Sequence, residues 1–124
     1  MKSGLLFPKN QKAKRHLKKH AGSIMQKKDG RCWMCVKIHG DNQMHPVLHK
    51  HHIFFGPGQR KISEENGFYI WLCPGHHIYD GGREAVHRNY GLCRMLQRET
   101  QDKWEKMGHT RREFMELVGR SYIN

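Results

Sequence analysis

The chain has 124 residues, 36% of them hydrophobic, and carries a formal charge of +12 with histidine neutral. That length allows one modest domain with a thin core. No apolar run approaches the ~20 residues a membrane-spanning helix needs, and Leu5-Leu6-Phe7 is cut off by Pro8, which argues against a signal peptide or a membrane role; a reducing, cytoplasmic setting is expected.

Residues 1–28 hold nine Lys or Arg and no acid, whereas the rest of the chain carries about +3. A basic arm over 1–29 beside a nearly balanced domain suggests a polyanionic partner, because phosphate neutralisation releases condensed counterions. The alternative is a solvated tail that only aids solubility. Residues 10–20 could wind into a helix that sets Lys12, Lys14, Arg15, Lys18 and Lys19 against nucleic acid.

Gly30 to Gly40 reads as a first knuckle carrying Cys32 and Cys35, with Trp33 as packing. Pro46 to Phe55 is a short β segment crossing His51-His52, and Gly56-Pro57-Gly58-Gln59 is a turn. Arg60 and Lys61 fall on the following loop, where they could clamp phosphate or simply be solvated. Ser63 to Gly67 predicts a second turn, and the aromatic, β-branched run Phe68 to Leu72 a strand. After Cys73-Pro74-Gly75 a helix carries His76 and His77, interrupted by Gly81-Gly82, with a further turn through Ala85-Val86-His87. Leu92, Met95, Leu96 and Trp104 share one face of a helix over 91–107; Cys93 lies in it as core packing. The last helix opens on a capping box, Thr110 with Glu113, buries Phe114, Leu117 and Val118, and stops at Gly119. The segment 91–124 is therefore a helical packing unit.

The four cysteines and eleven histidines carry the chemistry. Cys32-x2-Cys35 followed by Cys73-x2-His76 supplies four ligands at zinc-knuckle spacing, with His77 as an alternative fourth. A redox Cys-x2-Cys is the competing reading, but the βαβ surroundings of such sites are absent.

Cys32-Trp33-Met34-Cys35, His51-His52-Ile53 and Leu72-Cys73-Pro74-Gly75-His76-His77, spread over residues 30–90, resemble the HNH, or His-Me finger, endonucleases. The detail is similar to small phage and prophage proteins of that family. These share a His-His-x-Phe-x-Gly start, a Ser-Glu loop, a Cys-Pro-x-His-His turn and a Val-His-x-Asn, here Val86 to Asn89. Arg112, Phe114, Met115, Gly119, Arg120 and Tyr122 extend the likeness, and the Ref-like phage nucleases share the double histidine and the Cys-x2-His-His turn.

The resemblance implies an α+β fold: a zinc-stabilised ββα-metal core with C-terminal helices and a basic N-terminal arm. It implies a DNA endonuclease that leaves a 5′ phosphate and a 3′ hydroxyl. His52 would be the general base activating water, and Asn66 would orient the loop. His51 and His77 would hold a catalytic divalent metal, and Cys32, Cys35, Cys73 and His76 a structural Zn2+. His87 is a further candidate ligand or phosphate contact. Relatives often have Asp where His51 stands, so the catalytic metal is Mg2+, Mn2+ or another transition metal, with imidazole less suited to the first. The rival expectation is a non-catalytic zinc module that binds nucleic acid.

Overall fold

The structure, a computed structural model, describes residues 21–79 and 85–123. In chain order it contains α1 (Trp33–His39), β1 (His49–His52), α2 (Gln59–Asn66) and β2 (Tyr69–Leu72). A π-helical turn (Gly75–Tyr79), a 3-10 turn (Val86–Arg88), α3 (Tyr90–Lys106) and α4 (Arg111–Val118) follow. This is an α+β architecture in which a two-stranded antiparallel sheet sits among helices. No described helix is long and apolar enough to cross a membrane.

β1 and β2 pair with His49 opposite Leu72, Lys50 opposite Trp71, His51 opposite Ile70 and His52 opposite Tyr69. Side chains alternate along a strand, so His49 and His51 share one face while Lys50 and His52 share the other. The β segment expected over Pro46–Phe55 is ordered as strand only at these four residues.

The expected turn over Ser63–Gly67 is instead the end of α2, and Arg60 and Lys61 lie in its first turn rather than on a loop. The physical reason is local. Gly58 (φ 78°) and Gly67 (φ 76°) take left-handed backbone at its two ends. The buried Ser63 hydroxyl donates to Phe54 O at 2.7 Å and accepts from Phe54 N at 3.1 Å, fixing the helix to the exit of β1.

Gly67 is also pressed against residues 21–26. A Cβ there would lie 2.2 Å from Gly22 O, and Ile24 N donates to Gly67 O at 2.9 Å. Gly67→Ala combines left-handed backbone with a backbone clash. It is expected to destabilise the protein by about 2 kcal/mol or more, read as a lowered urea midpoint; an unchanged midpoint contradicts this packing.

The helical half follows its sequence signals closely. α3 matches the predicted 91–107 helix; Leu96 and Trp104 are buried, and Leu92 and Met95 pack against the core. Cys93 is buried there as a free thiol. Thr110 and Glu113 form the complete capping box, and Gly119 (φ 105°) ends α4. The core is an aromatic stack in which Phe54, Phe68, Phe114 and Trp104 meet edge to face. Two buried polar residues of α3, Gln97 and Gln101, link segments around it, while the buried Thr100 bonds back within the helix. Gln97 Nε2 donates to Ile53 O, Thr100 to Leu96 O, and Gln101 Oε1 accepts from Tyr122 N.

Candidate metal centres

The first centre joins three pieces of chain. Cys32 is the N-cap of α1, its thiol accepting from Cys35 N at 3.4 Å; Cys35 is one turn on, Cys73 follows β2, and His76 lies in the π-helical turn. His76 Nδ1 is 3.5, 3.4 and 3.3 Å from Cys32, Cys35 and Cys73 Sγ, and Cys35 Sγ is 3.9 Å from Cys73 Sγ. A tetrahedral zinc with ordinary Zn–S and Zn–N bonds spaces its ligands at about 3.8 Å (S···S) and about 3.5 Å (S···N). The four atoms thus stand at zinc-ligand spacing, and this Cys3His cluster could hold a structural metal such as zinc. The sulfurs are too far apart for a disulfide, and all are free. Burial pushes the Cys32 and Cys35 thiols up from the usual range, and in Cys35 the neighbouring sulfurs add to it. A bound cation reverses this logic, so metal uptake would release protons.

The second centre is all imidazole. One ligand atom from each of His51, His77 and His87 lies within 4.8 Å of the others. The strand places His51 inward, 1% exposed, with both ring nitrogens buried and no hydrogen-bond partner. A buried polar group without a partner is costly, and a coordinated cation is one way to satisfy it. Successive residues of a helical turn point in different directions, so His76 meets the sulfurs while His77 meets His51 and His87. His49, one strand repeat before His51, reaches His77 with Nδ1 atoms 3.0 Å apart. It engages one His77 nitrogen and leaves the other for a ligand, the usual outer support of a metal-binding histidine.

Burial holds His51 down at about 3, with His87, His77 and His52 adding to it; burial, then His87 and His49, hold His77 at about 4. Partial burial and the Arg60 guanidinium lower His87 too. The rings are therefore neutral, the form that binds a metal. Unfolding restores values near 6.5, so the unfolded chain takes up protons first as pH falls. The stability tied to neutral rings is complete above about pH 6.5 and is lost progressively towards pH 4. Zinc-loaded protein without a second cation should melt several degrees lower at about pH 5 than at about pH 7, and His51→Leu should reduce that difference. An identical pH dependence in both proteins would contradict it.

His52 points to the other side of the strand. Its Nε2 is 2.8 Å from Glu64 Oε1, and Lys50 Nζ donates to the same carboxylate at 3.1 Å. His52, His77 and His87 nonetheless open on one cleft of ≈ 490 Å³, lined also by Lys50, Phe55, Gly56 and Arg60. Lys61 is exposed and does not line it. Asn66 Nδ2 donates to Ile62 O at 2.9 Å, within its own helix. Lys12, Lys14, Arg15, Lys18, Lys19, the helix expected over 10–20 and Gly81-Gly82 lie outside the described residues.

The sequence reading did not find Glu64 or His49. The available signal was alternation: with His51 inward, His49 must join it, and Lys50 with His52 must face whatever covers the opposite side. No family model matches the chain, and no curated protein or solved structure matches it.

Proposed function

We propose that the chain is a metal-dependent DNA endonuclease of the HNH, or His-Me finger, type, with β1, β2 and the turn over Gly75–Tyr79 as its ββα-metal unit. The observation that carries this reading is His51. Its two buried, unpartnered nitrogens sit beside His77 and His87, which open on a cleft also lined by a histidine backed by a carboxylate.

His51, His77 and His87 would hold the divalent cation. When bound, it supplies Lewis-acid stabilisation of the charge developing on the phosphate and the leaving oxygen. His52 acts as general base. With Nε2–H given to Glu64, its Nδ1 lone pair takes the proton of the attacking water. Glu64 fixes that tautomer and stabilises the imidazolium as it forms. Glu64, bonded to His52, takes the orienting part, while Asn66 Nδ2 bonds within its own helix to Ile62 O. Arg60, at the cleft, receives a phosphate oxygen, and the basic arm adds affinity without sequence information.

Supercoiled plasmid incubated with zinc-loaded protein and a panel of divalent cations tests this reading. Nicked circles are expected, resealable by ligase because the ends carry a 5′ phosphate and a 3′ hydroxyl. Transition metals should outperform Mg2+ at a three-imidazole site. No nicking with any cation would overturn the assignment and favour a zinc module that only binds.

A further inference from the structure

Two clefts on the hairpin share Lys50. One is that of His52, His77 and His87; the other is lined by Lys27, Lys28, Lys50, Tyr69 and Trp71, with Ser23 and Gln26. Among the described residues no acidic side chain lines either, whereas Asp29 lines one nearby cleft and Glu99 with Asp102 another. Lys27 and Lys28 are exposed, yet they are not loose arm residues. The segment before them is bonded along β2. Ser23 Oγ donates to Tyr69 O at 2.5 Å, and Gln26 Oε1 accepts from Trp71 N at 2.9 Å. Lys28 Nζ sits 5.8 Å from the centre of the half-buried Trp71 ring. Lys50 is held at the junction by Glu64 and by the Tyr69 ring, 4.3 Å from its Nζ.

We propose that this second cleft binds the sugar-phosphate backbone of the DNA that is cut, with Lys27 and Lys28 on its phosphates and Lys50 leading the strand to His52. The inference rests on the nuclease reading and adds the side from which substrate enters. Charge complementarity selects the occupant. The cleft offers the exposed Lys27 and Lys28 beside the anchored Lys50 and an aromatic face, and among the described residues no carboxylate lines it to repel a phosphate. Backbone contacts of this kind position a strand and carry no base preference.

The test is binding of a fluorescent oligonucleotide, single-stranded and as a duplex, to zinc-loaded His52→Ala protein, followed by anisotropy across a range of salt. Adding Lys27→Gln with Lys28→Gln is expected to weaken binding on the order of tenfold. It should also flatten the log–log salt slope by about 1.4 on the single strand and about 1.8 on the duplex, the contribution of two phosphate contacts. A loss on both oligonucleotides, or on the single strand alone, supports the site and tells which form enters. Lys103→Gln with Lys106→Gln changes net charge equally on a surface balanced by Glu99 and Asp102, where Lys106 Nζ is 2.8 Å from Asp102. That pair should stay within twofold of the parent. Equal weakening by both pairs would show a net-charge effect and overturn the site. No weakening by Lys27→Gln/Lys28→Gln, in a parent that binds DNA and whose wild type nicks plasmid, overturns the cleft and leaves the nuclease reading standing. A parent that binds no DNA overturns both.

Discussion

His52→Ala is expected to slow plasmid nicking by roughly a hundredfold or more, the usual scale for losing a general base. Zinc content, melting temperature and DNA affinity should stay near wild type. The side chain is half-buried, and its resolved partner is Glu64, which keeps its bond to Lys50 when the imidazole goes. Among the described residues that line the cleft, the other two histidines, His77 and His87, belong to the imidazole cluster and are not free to replace it. His51→Ala should also slow nicking, but for a different reason. It weakens the hold on the cation, so raising metal concentration should partly restore the rate. No metal concentration should restore His52→Ala, because what is missing there is a proton acceptor. Wild-type nicking by His52→Ala would remove His52 from the mechanism.

Cys73→Ser is expected to lose the zinc and the cooperative fold together. Structural zinc in small domains binds with an apparent free energy of about 10–16 kcal/mol at neutral pH, while whole domains are stable by about 5–15 kcal/mol. Cys73 links the end of β2 to α1 through the cluster, so the strand that carries the register of His51 depends on it. Zinc released to a chromogenic chelator should fall below about half an equivalent, and the thermal transition should broaden or vanish. Cys93→Ala is the control. It truncates a buried thiol that touches no cluster, and it should keep its zinc at a cost of about 1 kcal/mol. A Cys73→Ser protein that melts cooperatively at the wild-type temperature would show that the fold does not depend on zinc.

The Cys3His cluster, α3, β2 and the capping box of α4 were legible because each rests on a local rule: ligand spacing, helical or strand periodicity, or a four-residue cap. The choice of His76 over His77 was not, because spacing alone leaves either ring within reach; the π-helical turn decides which faces the sulfurs. α2 was hidden by its composition. Gln59 to Asn66 has Ile62 as its single apolar residue, and its buried member is Ser63, held by hydrogen bonds rather than by hydrophobic burial. Missing the helix also hid Glu64, which is brought to His52 by tertiary packing across twelve positions. The stitching of residues 21–26 along β2 escaped for the same reason. Ser23 and Gln26 make side-chain bonds to a strand more than forty positions away.

If the chain is the nuclease proposed, it carries two distinct cation sites, and the imidazole site is the one that cuts DNA. Metal-stripped protein should be reloaded with one equivalent of Zn2+, then titrated with Co2+ or Mn2+ while plasmid nicking is followed. Nicking is expected to be absent with the first equivalent, which the thiolates take, and to appear with the second; His77→Ala should shift that onset to much higher concentration. Full nicking at one equivalent, or an onset unchanged in His77→Ala, would show that the imidazole site does not hold the cutting cation.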